Sequence, residues 1–254
     1  MSAIAERRKY ILDSIVKEGF VKVSVLAEKF GVTQTTIRKD LNHLEAKGLL
    51  YRAYGSALPT AAQVMDITMS TKRLINFEKK QKIAEAAAAL IENDDSIIIA
   101  SGSTMTIFAE VLKPKGRLNV VSTAVNISAH LGDIQGITVM QVGGLLYSNT
   151  LSVLGAEANN AISNVFCSKA FIGVDGLDPD YGITCATTEE ASLTRQIIRS
   201  AKKCVVLADS SKLGKRGFAR ICQMENVDIL ITDDGLPENA RARLEELGVR
   251  LIIA

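Results

Sequence analysis

The stretch "GVTQTTIRKDL", residues 31–41, decides how this chain opens. Threonine is a mediocre helix former, yet Thr33, Thr35 and Thr36 crowd the start of what the spacing predicts is a short helix. Ile37, Leu41 and Leu44 recur at i, i+4 and i+7, which predicts one buried stripe. With that stripe inward, Gln34, Thr35, Arg38 and Lys39 lie on or beside the outward face of the first two turns. Thr33 is placed to cap them, and Thr36 completes the polar set. Side chains that face a partner give the poor propensity a reason.

Working outward, the segments on both sides favour that reading. Ile4, Ile11, Leu12, Ile15 and Val16 predict a first helix ending near Gly19. In "VKVSVLAEKFG" (21–31), Ser24 is a candidate cap for a second short helix with Val25, Leu26 and Phe30 inward. Gly31 can take the positive φ that stops it. Helix, glycine turn and helix form a helix-turn-helix arrangement. "LLYRAYGSALP" (49–59) then predicts a hairpin with Arg52 and Tyr54 on it and Gly55 near its turn, a wing beside the third helix. DNA-reading helices place their N-terminal turns in the major groove. There Arg pairs bidentately with guanine, Gln with adenine, and a Thr methyl meets the thymine methyl. The alternative for these residues is a solvated helix face with Thr33 as a plain cap. Asp40 is the odd member, a carboxylate on a helix expected to approach phosphates, and its expected partner is Arg7 or Arg8.

Charge points the same way. Residues 1–60 hold ten Lys/Arg against six Asp/Glu, whereas the remaining 194 hold 20 against 22. A basic head on a slightly acidic body suggests a polyanion partner for the head alone. Two histidines make a histidine-rich metal centre improbable, and Cys167, Cys185, Cys204 and Cys222 show no CxxC spacing. They are expected as reduced thiols of an intracellular, cytoplasmic protein. The charged start "MSAIAERRKYILD" lacks the apolar run of a signal peptide, and no stretch of about 18 apolar residues suggests a membrane span.

After "PTAAQVMDITMS" (59–70) the pattern changes. "KRLINFEKKQKIAEAAAALIEND" (72–94) predicts a helix with Ile83, Ala87, Leu90 and Ile91 on one stripe. Apolar β-branched runs then alternate with helical segments at 96–100, 118–122, 137–142, 168–174, 203–208, 227–232 and 249–254. Such alternation predicts a parallel sheet covered on both faces, a Rossmann-like α/β domain. Ligands of such sheets bind beyond the carboxyl ends of the strands. Small polar loops sit there: "ASGSTM" (100–105), "VGGLLYS" (142–148), "GVDGLDPDYGIT" (173–184) and "ADSSKLGKRG" (208–217). Ser101, Gly102, Ser103 and Thr104 offer backbone access and hydroxyls at a helix start, a ready anion site. Lys212 can supply a cation for a phosphate and Asp175 a carboxylate for sugar hydroxyls; a solvated lysine and a turn residue are the plainer readings.

The chain resembles a known family along nearly its whole length. Arg7-x3-Ile11-x3-Ile15, seventeen residues, then Thr33-x2-Thr36-Ile37-Arg38-Lys39-Asp40-Leu41 is similar to the DeoR-type bacterial transcriptional repressors. The larger domain resembles their sensor domain, itself similar to ribose-5-phosphate isomerase and glucosamine-6-phosphate deaminase. The stretches that carry this are Gly102-Ser103-Thr104, Gly143-Gly144, Gly173-x-Asp175-Gly176, Gly182-x-Thr184 and Asp209-Ser210-Ser211-Lys212-x-Gly214. The resemblance implies a winged helix-turn-helix over 1–58, a linker over 59–71 and an α/β sensor domain over 72–254. It implies operator DNA and a phosphorylated sugar as partners, the Gly-Ser-Thr loop and Lys212 holding phosphate, a dimer or tetramer, and neither cofactor nor metal. Ser101 stands where the family often has Asp or Asn. The rival expectation is a phosphosugar isomerase carrying a DNA-binding domain, with Asp175, Asp178, Glu189 or Glu190 as its general base.

Overall fold

Apolar residues at helical spacing close the first core. The computed structural model describes residues 3–18, 21–46, 50–53, 56–58 and 69–254, and the chain divides into two units, Met1–Asn76 and Phe77–Ala254. In the first unit, helix α1 (Ala3–Glu18) leads through strand β1 (Val21–Lys22) into α2 (Val23–Phe30) and α3 (Gln34–Ala46). Strands β2 (Tyr51–Ala53) and β3 (Ser56–Leu58) pair antiparallel, with Arg52 opposite Ala57, and β1 adds to β3. Helix α4 (Met69–Leu74) completes the unit, beginning inside the span read from sequence as a linker. Residues 59–68, Tyr54 and Gly55 lie outside the described residues.

Ile11, Ile15, Leu26, Ile37, Leu41 and Leu44 form the core of this unit, as the spacing predicts. Two expectations are corrected. Val25 is 57% exposed, and Ser24 does not cap α2, whose N-cap is Lys22 without a side-chain bond. The reason is the same for Ser24 and Val25. The chain enters α2 directly from β1, so Val23, Leu26, Ala27 and Phe30 (i, i+3, i+4, i+7) become the inward stripe and Val25 turns out. Gly31 takes φ 60° and closes the helix, donating its N–H to the Ala27 and Glu28 carbonyls.

The second unit begins with α5 (Phe77–Ala88), followed by β4 (Ser96–Ile99), α6 (Ser103–Val111), β5 (Leu118–Ser122), α7 (Val125–Gly132) and β6 (Ile137–Gln141). A hairpin of β7 (Leu145–Tyr147) and β8 (Ser152–Leu154) precedes α8 (Ala156–Ser163) and β9 (Cys167–Gly173). Then come β10 (Gly176–Asp178), β11 (Gly182–Cys185), α9 (Thr188–Arg199), β12 (Ala201–Leu207), β13 (Ala219–Cys222), β14 (Ile229–Thr232), α10 (Glu238–Glu246) and β15 (Arg250–Ile253). Seven strands form one sheet in the order β15-β14-β12-β9-β4-β5-β6, every neighbouring pair parallel. Ile98, Ala170, Ile172, Val206 and Leu230 belong to the core on one face. Ile97, Ile99, Phe171, Val205 and Ile231 belong to the core on the other. Burial of both faces is why these strands read as continuous apolar runs.

Two differences from the sequence reading have local causes. The long helix expected over 72–94 is broken: α4 ends at Leu74, Asn76 adopts φ 53°, and α5 starts afresh at Phe77. Leu90 and Ile91 lie in turns beyond α5, Ile91 still buried. The loops at 142–148 and 173–184 also hold small strands, β7 paired with β8 and β10 with β11, and β11 pairs in turn with β13, just past the loop at 208–217. Each is too short to show a period in sequence. Cys167, Cys185 and Cys204 are buried and Cys222 half-buried, all as free thiols. Burial pushes the Cys185 thiol up to about 12, so it stays protonated and inert.

Candidate functional site

The first site is the outer face of α3. The Thr33 hydroxyl accepts a bond from the Thr36 amide at 3.2 Å and lies 3.0 Å from the Thr36 hydroxyl. Thr33, Gln34, Thr35, Arg38 and Lys39 are exposed and Thr36 is half-buried. The Arg38 guanidinium donates to Gln34 Oε1 at 3.3 Å, one turn back along the same face. Arg52 lies on β2; Tyr54 is outside the described residues.

Behind that face sits Asp40, 3% exposed. Its two carboxylate oxygens separately accept Arg7 Nε at 2.6 Å and Arg8 Nε at 2.8 Å. Sequence spacing suggested one of these arginines; the structure uses both. The carboxylate fixes α3 against α1 and does not face outward. A buried carboxylate needs this pairing because an isolated charge is expensive to desolvate.

The second site follows from strand order. From β4 the chain builds the sheet outward to β5 and β6, then returns to the other side of β4 with β9 and continues to β12, β14 and β15. The order reverses between β4 and β9. In open parallel sheets the crevice beyond the carboxyl ends at such a point is where ligands bind. The loop after β4 holds Ser101, Gly102, Ser103 and Thr104, all partly exposed. Gly102 has φ 133°, a backbone only glycine adopts readily, and serves as N-cap of α6. The loop after β9 comes against it: a Cβ on Gly173 would lie 3.9 Å from the Ser101 carbonyl oxygen.

Helix α5 supplies the cations that sequence reading missed. Lys80 is 4% exposed, and its ammonium donates to Ser103 Oγ at 3.2 Å. Lys79 donates to Asp233 at 2.7 Å and to Ser210 Oγ at 3.1 Å. Asp233 follows β14 and also accepts the Ser210 amide at 2.6 Å, the Ser210 hydroxyl at 2.8 Å and the Gly235 amide at 3.1 Å. Burial opposes the Asp233 charge, but Lys79 and these donors outweigh it and bring the carboxyl down to about 2. One helix thus ties the loops after β4, β12 and β14 together.

Other expected residues divide by geometry. Lys212 closes a 3-10 turn, Ser210–Lys212, on the loop after β12, half-buried, its amide donating to the Asp209 carbonyl at 3.0 Å. Asp175 follows β9, with its amide bonded to the Thr184 carbonyl at 3.0 Å. Gly176 begins β10, where a Cβ would come within 2.3 Å of the Lys215 carbonyl oxygen. Gly144 has φ 140°, with the Leu154 carbonyl oxygen 2.7 Å from where its Cβ would be. Close backbone packing is therefore enough to require glycine at both positions. Gly143, two strands from β4, has open space at its Cβ position. The carboxylate of Asp178 accepts Arg216 Nε at 2.7 Å and the amides of Asp180 and Tyr181 at 3.0 Å. The Arg216 bond foremost, with the two amides, holds Asp178 below the usual carboxylate range.

A cavity of about 410 Å³ lies at the opposite, amino edge of the sheet, with Lys115, Lys169, Lys203 and Arg250 in its lining. Lys169 is paired there with Asp95 at 2.7 Å. Ala89 to Asn93, just past the C-terminal end of α5, also line it; that is the negative end of the helix dipole, which suits these cations and disfavours an anion.

Comparison with known proteins finds two matching domain families. The DeoR-like helix-turn-helix domain matches residues 7–63, and the DeoR C terminal sensor domain matches residues 75–234. The HTH-type transcriptional repressor GlcR of Bacillus subtilis (strain 168) is 31% identical over 98% of this chain and 95% of its own length. The uncharacterized HTH-type transcriptional regulator YulB of the same organism is 30% identical over 98% of this chain and 96% of its own length. Ribose 5 phosphate isomerase A from Neisseria gonorrhoeae aligns over 58% of this chain and 56% of that one, with a TM-score of 0.39 and 21% identity. Among the described residues no helix is long and apolar enough to cross a membrane. The sensor-domain match spans more than half of the sequence and the helix-turn-helix match lies directly ahead of it; the chain belongs to the DeoR family of transcriptional regulators.

Proposed function

We propose that this protein is a cytoplasmic repressor of a carbohydrate-utilisation operon, released from or held on its operator by a phosphorylated sugar. Residues 1–58 bind double-stranded DNA and residues 72–254 sense the effector. Thr33, Gln34, Thr35, Thr36, Arg38 and Lys39 meet the major groove, and Arg52 and Tyr54 meet the backbone beside it. The effector's phosphate sits on Ser101–Thr104 with Lys80 beneath it and Lys212 at the rim; Asp175 takes sugar hydroxyls, and Gly143, Gly144 and Gly176 shape the walls. The protein acts as a homo-oligomer, dimer or tetramer, because two half-sites need two reading helices. It needs neither cofactor nor metal and performs no catalysis.

The observation that carries this reading is the Lys80 ammonium, almost wholly buried and 3.2 Å from Ser103 at the strand-order reversal. The lysine already bonds the first residue of α6, and a phosphate on the Ser103–Thr104 amides would lie within its reach. The relative GlcR is named a transcriptional repressor, which supports the regulatory half. Against the isomerase reading, Asp178 is engaged by Arg216 and two amides, and Glu189 is exposed with the Thr188 hydroxyl donating to it at 3.0 Å.

Thermal-shift screening against paired sugars and sugar phosphates tests the proposal, since a ligand specific to the folded state stabilises it by mass action. A phosphorylated sugar is expected to raise the melting temperature, its dephosphorylated form is not, and the same compound is expected to change operator binding in a DNA-shift titration. Conversion of any of these compounds by the protein would favour the isomerase, and stabilisation by free sugars alone would remove the phosphate from the site.

A further inference from the structure

From Ile134 to Ala156 the sequence holds no Asp, Glu, Lys, Arg or His, although the chain as a whole is 23% charged. This stretch is not core throughout. Its exposed apolar side chains are Met140 at the end of β6 and all three residues of β7, with Leu145 67%, Leu146 54% and Tyr147 45% exposed. The strand beside them, β8, is fully buried. The hairpin hangs from the carboxyl end of β5: Val153 donates to the Thr123 carbonyl at 2.7 Å and Val125 to the Leu151 carbonyl at 3.0 Å. Val125, also exposed, therefore borders it. Among the described residues β7 pairs only with β8, which leaves its outer edge open. Gln141, Ser148 and Asn149 surround the patch, exposed and uncharged.

An apolar strand with a free edge is an aggregation hazard that proteins ordinarily blunt with lysine, proline or a covering element. None of the first two is present between 134 and 156. An apolar centre within a polar rim, depleted of charge, is instead the anatomy of a protein interface. We propose that β7 is covered by β7 of a second copy of this chain, antiparallel about a two-fold axis, so that two hairpins make one sheet in the order β8-β7-β7-β8. Symmetry selects this occupant. In a two-fold contact each residue near the axis faces its own counterpart, so a charged residue there would meet its like. A segment free of both signs meets that condition, whereas a different partner would not impose it. Nucleic acid, as a polyanion, finds no cation here. The hairpin also roots beside Thr123 and Ala124, at the sheet edge that carries the candidate effector loops, so pairing would bring two such edges close to one axis.

This surface rests on the oligomeric part of the function proposed above, and the test separates the two. The mass of the full-length chain is measured by light scattering over a concentration series for wild type, Leu146→Lys and Phe218→Lys. Leu146 is exposed, so lysine there leaves the core intact, which an unchanged circular-dichroism melt would verify. Phe218, 84% exposed on another loop, is the control for a lost surface apolar group. Leu146→Lys is expected to halve the wild-type mass and to need at least tenfold more protein to restore it, with Phe218→Lys unaffected. Leu146→Cys is expected to yield a disulfide-linked pair under mild oxidation. A wild-type oligomer indifferent to Leu146→Lys overturns the surface alone. A wild-type monomer at every concentration overturns both the surface and the oligomeric reading.

Discussion

The two candidate sites are built on opposite plans. The reading face of α3 is contiguous: Thr33 to Lys39 fit within two turns, and their geometry follows from one helix and one cap. The cleft of the larger unit is assembled from loops after β4, β9, β12 and β14, with α5 reaching across to Ser103, Ser210 and Asp233. A contiguous site tolerates change elsewhere as long as its helix is held in place; an assembled one depends on every tie between its parts. The comparison also shows where the local plan is less local than it looks, because α3 is anchored through Asp40 to arginines more than thirty residues away.

The largest expected effect breaks that anchor. Asp40→Ala should destabilise the N-terminal unit by about 3 kcal/mol, since it leaves two guanidinium groups facing a vacated pocket. Denaturant unfolding would check it, and a loss below about 0.5 kcal/mol would make α3 as self-sufficient as its sequence suggests. Next, Lys80→Met should weaken binding of a phosphorylated effector by about 2 kcal/mol in calorimetry, the range of a hydrogen bond to a charged group, while operator affinity holds. Lys212→Ala is expected to abolish the operator's response to effector while sparing the fold. If Lys212→Ala leaves effector affinity intact and Lys80→Met does not, the phosphate belongs to the buried lysine alone.

Arg38→Ala should cost about 1.5 kcal/mol on operator DNA and less on random DNA, as loss of a base contact does. Equal loss on both would move Arg38 from bases to phosphates. Arg52→Ala, on the wing, should weaken both DNAs alike and lower the salt slope by about one. The last effect is read as a pH dependence. The Asp233 carboxyl lies near 2 in the folded protein, against about 4 in an unfolded chain. Its contribution is thus fully present above about pH 4 and is lost as pH falls toward 2. Asp233→Asn should flatten that segment of the stability curve, its destabilisation being greatest above about pH 4 and shrinking as pH falls toward 2.

Sequence by itself determined the elements whose physics is periodic or local. The stripe Ile37, Leu41 and Leu44 set the outward face of α3, and seven apolar β-branched runs between helices required a parallel sheet buried on both faces. Loops rich in Gly and Ser marked the carboxyl edge because turn chemistry is local. Tertiary structure alone decided which loops flank the reversal between β4 and β9, since strand order is a property of pairing and leaves no period in the chain. It also decided that Lys79 and Lys80, in the run "EKKQK", hold the loops after β4, β12 and β14. A lysine's role depends on what packs opposite its helix, and Ser103, Ser210 and Asp233 stand 23 to 154 residues away. Gly144 and Gly176 carry the same lesson. Their need for glycine comes from carbonyl oxygens of Leu154 and Lys215, which only the folded chain brings near.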